Sequence, residues 1–166
     1  AFPTYNLTEE QLIRLARLCH AEQNTGGEAG EKAEASLIAS KYEDAVRQQK
    51  KSKAGELWET KSLDYYADWD GWWYGTKGWT AAKSGRPDKN YMETGSYTAQ
   101  DVEWMRDVFV KGERTLPNYV MEHDGMPEIA RAVTDGVETP KRADAFVQGR
   151  TKLYNTLGSH YIFFAQ

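Results

Sequence analysis

Several features are scarce in this sequence of 166 residues, and each scarcity excludes a class of protein. The single cysteine, Cys19, excludes an internal disulfide framework and an all-cysteine metal site. The 21 basic and 25 acidic residues give a net charge of -4, which excludes a strongly basic nucleic-acid-binding protein. The chain has no long apolar run, and its mean hydropathy is -0.77. We therefore expect no binding to nucleic acid and no insertion into a membrane.

Known metal-binding motifs are also missing. Residues 20–22 read His-Ala-Glu, as in zinc deaminases, but the Pro-Cys-x-x-Cys that completes that site is absent. His123 lies between two acidic residues without a His-Glu-x-x-His motif or a second ligand pair. Residues 68–71 lack the spacing and the closing Glu of a calcium loop. We expect no metal and no cofactor.

Capping and apolar patterns predict a mainly helical α+β domain over residues 1–166. Thr8 and Gln11 form a capping-box pattern for a helix that runs to about Gln23, where a glycine-containing loop ends it. An alanine-rich helix follows at about residues 29–49. Thr98 caps a further helix that ends at Gly112. Near the C-terminus, residues 151–154 and 160–164 are predicted to pair as a β-hairpin.

An aromatic-rich insertion is predicted at about residues 54–95. Residues 58–79 hold five of the six tryptophans and show no sustained period, so an irregular structure is expected. We assign Trp58 and Trp69 to the core. The neighbouring residues 72–74 read Trp-Trp-Tyr, too dense a cluster for one small domain to bury. Exposed apolar patches mark binding sites, so we place these rings in a groove that binds sugar rings by stacking.

Glu22 is the sharpest candidate for catalysis. At 100° per residue, Leu12, Leu15, Cys19 and Glu22 fall within roughly 80° of one another on the first helix. A carboxyl group on an apolar stripe has a raised pKa and can donate a proton. The alternative is a polar helix end that reaches past the core into water. Cys19 lies on the same stripe among leucines, and we do not expect it to act as a nucleophile.

Three segments together resemble one family. Residues 15–22 read Leu-Ala-Arg-Leu-Cys-His-Ala-Glu, Gly30 follows eight residues after Glu22, and the next helix is rich in alanine. Residues 114–124 read Arg-Thr-Leu-Pro-Asn-Tyr-Val-Met-Glu-His-Asp, and residues 157–164 read Leu-Gly-Ser-His-Tyr-Ile-Phe-Phe. In this order the segments resemble the SleB-type cell wall hydrolases, which include spore cortex-lytic enzymes and phage lysins. Ser40-Lys41 stand where that family has Asn-Arg.

The resemblance implies a lysozyme-like, lytic-transglycosylase-like fold that acts on peptidoglycan glycan strands. It makes Glu22 the general acid/base and suggests Tyr119, His160 and Tyr161 as groove residues beside Trp72, Trp73 and Tyr74. The bond cleaved would be the MurNAc–GlcNAc β-1,4 bond. We expect a monomer.

A hydrolase would need a second carboxylate, for which Glu28, Glu122 and Asp124 are available. A lytic transglycosylase needs Glu22 alone, and this reaction is favoured because no second acid is singled out. Two alternatives remain open. A zinc-dependent amidase would cut the sugar–peptide bond, and a non-catalytic glycan-binding module would explain the aromatic residues.

The first residues, Ala-Phe-Pro-Thr, lack a charged region followed by an apolar run, so no signal peptide is predicted. A wall-degrading enzyme must nevertheless reach the bacterial cell wall. We therefore expect a phage lysin released through the host membrane, a virion-associated enzyme or a domain excised from a secreted protein.

The groove assignment predicts the effect of removing the indole rings. Replacing Trp72 or Trp73 with alanine should weaken binding to purified cell walls more than it lowers the melting temperature. Wall sedimentation and a thermal melt of each variant measure the two effects. A variant that mainly unfolds would show that these rings belong to the core.

Overall fold

A computed structural model describes residues 2–23, 26–51, 55–70, 90–125, 134, 136, 153–157 and 160–163. The chain forms two compact units, Ala1–Thr115 and Leu116–Gln166, and each is described by itself. The single domain expected over residues 1–166 remains a prediction. In the described part of the chain, no helix combines the length and the apolar character needed to cross a bilayer.

The first unit opens with two long helices, α1 (Glu9–Gln23) and α2 (Gly27–Arg47). The predicted capping box of α1 is confirmed. The Thr8 backbone N–H donates to Gln11 Oε1 at 2.9 Å, and the Gln11 backbone N–H donates to Thr8 Oγ1 at 3.1 Å. Helix α2 begins and ends two residues before the predicted bounds.

The described part of the first unit also contains three shorter helices: α3 (Leu63–Asp70), α4 (Tyr91–Thr94) and α5 (Ala99–Met105). A 3₁₀ turn covers Trp58–Thr60, and a π-helical turn, Arg106–Val110, continues α5. The irregular structure predicted for residues 58–79 is therefore wrong for residues 58–60 and 63–70. Residues 71–89 of the aromatic-rich insertion lie outside the described part.

The 3.6-residue hydrophobic repeat of α3 cannot be recognised in the sequence because aromatic side chains lie on both faces of this helix. Leu63, Tyr66 and Ala67 are buried at helical spacing, whereas Tyr65 and Trp69 lie on the outer side. The rings of Tyr65 and Trp69 stack with an interplanar angle of 8°. Aromatic residues at both sets of positions hide the 3.6-residue repeat that predicts a helix.

Helix α1 lies at the centre of the first unit and packs against α2, α3, α4 and α5. Its Leu12, Leu15 and Leu18 side chains have no exposed surface. The core assignment is confirmed for Trp58, which is 4% exposed, and wrong for Trp69, which is 37% exposed. Trp58 packs edge-to-face against the Tyr66 ring in the core, whereas Trp69 lies on the outer side of α3.

A buried ion pair joins α2 to the end of the first unit. The Arg114 side chain has no exposed surface, and its guanidinium donates to Glu43 Oε1 at 3.2 Å and to Oε2 at 2.5 Å. The Tyr5 hydroxyl also donates to Glu43. Two-pronged Arg–carboxylate pairs are strong and directional. Arg114 therefore anchors the chain on α2 where the Arg-Thr-Leu-Pro segment begins.

The second unit contains an antiparallel sheet of β1 (Glu122–Gly125), β2 (Leu153–Leu157) and β3 (His160–Phe163) in the order β1-β3-β2. Strands β2 and β3 pair as the predicted hairpin, but its predicted bounds are wrong for residues 155–157, which belong to β2 and not to the turn. The pairing of β1 with β3 is not predicted from the sequence. The mainly helical class is confirmed.

The capping box of α1 predicts a measurable loss of stability. Thr8→Ala removes the hydroxyl that accepts from Gln11, and it should lower the free energy of unfolding by about 1 kcal/mol in urea denaturation. Thr8→Ser keeps a hydroxyl at the same place and should retain most of the stability. Equal losses in the two variants would contradict a capping role for the hydroxyl.

Candidate functional site

Glu22 lies in the last turn of α1 and is half-buried, at the end of a face whose Leu15 and Cys19 are fully buried. Burial raises the pKa of the Cys19 thiol well above its ordinary value, and nearby carboxyl groups raise it further. Those carboxyl groups belong to Glu34, Glu31, Glu22 and Asp101. The thiol is therefore unsuited to act as a nucleophile, and it marks the place where four acidic side chains gather.

Asp101 connects α5 to α1 at this place. Its Oδ2 accepts from the Thr98 backbone N–H at 2.7 Å, and its own backbone N–H donates to Thr98 Oγ1 at 3.1 Å, which completes the predicted capping box. The same Oδ2 lies 2.9 Å from His20 Nδ1 of α1. One carboxylate thus caps one helix and pairs with the neighbouring helix.

Glu31 of α2 is the third residue at this place, after His20 and Asp101, and it is only 2% exposed. Burial raises its pKa to about 8, and a hydrogen bond and the charge of Asp101 act in the same direction. At neutral pH, Glu31 therefore holds a proton that it shares with Asp101. Burial by itself would raise the pKa of Asp101, but hydrogen bonds from Glu31 and Thr98 and the neighbouring His20 hold it below its ordinary value.

The start of α2 lies unusually close to the end of α1 at Gly30. A Cβ atom built on Gly30 would lie 3.2 Å from the Gln23 carbonyl oxygen and 3.3 Å from Gln23 Cβ. Gln23 follows Glu22 directly and is itself buried. The glycine that follows Glu22 by eight residues therefore permits the close approach of the two helices beside the carboxyl group.

Two arginines fix the opposite side of α1. Arg14 donates to Asp64 of α3 at 2.5 Å and to Glu93 of α4 at 2.9 Å, and it also pairs with Asp68. Arg17 donates to the Glu93 carbonyl oxygen at 3.1 Å. These contacts hold α1 against α3 and α4, so the position of its last turn is defined by packing on several sides.

Of the other predicted site residues, the structure describes Glu28 in the first unit and Tyr119, His160 and Tyr161 in the second. Glu28 lies in the first turn of α2, with 53% of its side chain exposed, and pairs with Lys32 at 3.5 Å. Tyr119 is 47% exposed in the second unit. In the sheet of that unit, the backbone of Asp124 pairs with Tyr161, and that of Gly125 pairs with His160. Trp72, Trp73 and Tyr74 lie outside the described residues.

Sequence reasoning missed the cluster of His20, Glu31 and Asp101. Asp101 could be identified as the third residue of a capping box but not as the partner of two distant side chains. Glu31 lies near the buried Ala33 and Glu34 in an alanine-rich stretch that faces the core. Acidic residues in such a stretch are the sequence signal that could have indicated a buried carboxyl group here. The pairing itself depends on how three helices pack.

Comparison of the chain with protein-family models, with curated proteins and with solved structures found no match.

The contact at Gly30 predicts a position-specific effect on stability. Gly30→Val should be destabilising by about 1–3 kcal/mol, because its branched side chain would overpack against Gln23. Ala29→Val is the matched control, since Ala29 is exposed on the same turn of α2 and receives the same side chain. Thermal melts of both variants measure the difference. Equal melting temperatures would show that α2 does not need a glycine there.

Proposed function

We propose that this chain is a peptidoglycan-degrading enzyme with a lysozyme-like fold, which cleaves the MurNAc–GlcNAc β-1,4 bond with Glu22 as its general acid/base. One observation carries the proposal. The carboxyl groups of Glu22, Glu31, Glu34 and Asp101 all raise the pKa of the Cys19 thiol near the end of α1, and the last three are buried, between 1% and 2% exposed. Glu22 is the member of the group that is only half-buried, so it can both sit in this environment and reach a ligand.

The environment suits acid catalysis. Carboxyl groups that lie close together do not all ionise at neutral pH, because each negative charge disfavours the next. The pKa of Glu31 within the group is raised mainly by burial, and the hydrogen bond and the negative charge of Asp101 add to the effect. A general acid must keep its proton until the substrate is bound, and the proposed role requires the same of Glu22.

The proposed reaction begins with proton transfer from the Glu22 carboxyl group to the glycosidic oxygen. The bond to C1 of MurNAc breaks as positive charge develops at that carbon. The Glu22 carboxylate then removes a proton from the C6 hydroxyl of the same sugar, and the C6 oxygen bonds to C1. The products are a free GlcNAc hydroxyl and a 1,6-anhydro sugar, and Glu22 regains its proton.

This lytic transglycosylase reaction needs no second carboxylate. Glu28 is the nearest candidate along the chain for such a role, and it lies on an exposed turn where it pairs with Lys32. In a muramidase, Glu28 would instead activate water or form a covalent intermediate. The proposal therefore assigns the chemistry to Glu22 and leaves Glu28 as the residue that distinguishes the two reactions.

Exposed aromatic rings in the first unit provide faces on which sugars can stack. Trp69 is 37% exposed and Tyr97 is 39% exposed. The Arg17 guanidinium lies 5.2 Å from the centre of the Tyr97 ring, which fixes this ring against α1. Such surfaces support a glycan ligand, together with the groove predicted for residues 72–74.

Glu22→Gln should abolish most of the activity because it removes the transferable proton while it preserves the shape of the side chain. General acid catalysis accounts for about 10²–10⁴ in rate, so clearing of purified cell walls should slow by at least that factor. The melting temperature should stay the same or rise slightly, since a half-buried carboxyl group is replaced by a neutral amide.

Two further variants serve as controls for the wall-clearing assay. Glu103→Gln makes the same chemical change at an exposed position of α5 and should leave the rate unchanged. Glu28→Gln should also leave it unchanged in a transglycosylase, whereas a loss equal to that of Glu22→Gln would indicate a hydrolase. A folded Glu22→Gln protein that clears walls at the wild-type rate would refute the proposal.

A further inference from the structure

Three side chains from three helices converge on one point in the first unit. His20 comes from α1, Glu31 from α2 and Asp101 from α5, and one nitrogen or oxygen atom of each lies within 4.8 Å of the other two. His20 Nδ1 and Asp101 Oδ2 are already 2.9 Å apart. Imidazole nitrogen and carboxylate oxygen are both common ligands of metal ions in proteins.

We propose that His20, Glu31 and Asp101 bind one divalent transition-metal ion of the zinc type. The ion displaces the proton that Glu31 shares with Asp101, and this proton passes to the solvent. Ligand atoms that surround zinc tetrahedrally at roughly 2.1 Å are about 3.4 Å apart, so movements of about 1.5 Å or less would bring the three side chains into place. Such a movement is within the reach of a change in side-chain torsion angles. No rearrangement of the helices is needed.

A second feature points to a ligand at this place. Glu31 is only 2% exposed, yet its Oε1 atom has no hydrogen-bond partner among the described residues. A buried carboxyl oxygen without a partner has lost its hydration and gained nothing in return. A cation bound between His20, Glu31 and Asp101 would supply the missing interaction with the Glu31 carboxyl group.

Thr98 prepares Asp101 for this role. Its backbone N–H and its hydroxyl group hold Asp101 at both the carboxylate and the backbone. Hydrogen bonds from outside the ligand set commonly orient metal-binding carboxylates in this way. Asp101 is therefore fixed before any ion arrives.

The donor set identifies the class of ion. Calcium takes six to eight oxygen ligands and magnesium keeps several water molecules, whereas one imidazole with two carboxylates suits zinc, cobalt, manganese or iron. Because Glu31 and Asp101 are each 2% exposed, the ion would join three helices rather than meet a glycan. The site shares Glu31 and Asp101 with the acidic group around Glu22, but its tests measure metal binding and not wall clearing, so failure of one proposal can be told from failure of the other.

Titration of the chelator-treated protein with Co²⁺ and with Zn²⁺ tests the site. We expect one equivalent to bind by calorimetry, the melting temperature to rise, and the Co²⁺ complex to absorb visible light through its ligand field. His20→Ala and Glu31→Gln should each weaken binding at least tenfold. Glu103→Gln, which makes the same change as Glu31→Gln on an exposed part of α5, should bind as the wild type does.

The wild-type titration is decisive even where a variant fails to fold. Absence of saturable one-to-one binding to the folded wild-type protein would overturn the proposal. So would binding of unchanged affinity in folded His20→Ala and Glu31→Gln proteins, since the ion would then lie elsewhere. Loss of binding in both variants with retention in Glu103→Gln would support it.

Discussion

The first unit depends on the burial of one carboxylate, Asp101, among partners from three helices. An isolated charge in a protein interior is very unfavourable, so it requires compensation by hydrogen bonds or an opposite charge. The Thr98 backbone N–H donates a hydrogen bond to the Asp101 carboxylate at the start of α5. The His20 ring of α1 lies within hydrogen-bond distance of the same carboxylate, and Glu31 of α2 shares its proton with it. These partners lie on three different helices. The charge of Asp101 is therefore compensated only when the three helices are packed together.

The same packing gives Glu22 its position. Arg14 and Arg17 hold α1 against α3 and α4, and Gly30 allows α2 to approach the last turn of α1. As a result, the end of α1 carries a concentration of acidic groups of which Glu22 alone is half-buried rather than buried. This balance between desolvation and access is the physical basis of the proposed acid/base role.

Local signals in the sequence predicted local structure well. The capping boxes at Thr8 and Thr98 define the starts of α1 and α5, and the apolar stripe on α1 correctly placed Leu12, Leu15 and Cys19 in the core. Helix α3 was missed because aromatic residues on both faces concealed its period. The convergence of His20, Glu31 and Asp101 could not be predicted, because it depends on contacts between residues up to 81 positions apart.

The central claim is that this chain breaks glycosidic bonds in peptidoglycan, and mass spectrometry of the soluble products tests it most directly. Purified cell walls incubated with the protein should release muropeptides that end in 1,6-anhydro-MurNAc. A reducing MurNAc end would keep the bond and the role of Glu22 but replace internal transfer with hydrolysis. Release of free peptides alone, or of no soluble product, would contradict the account.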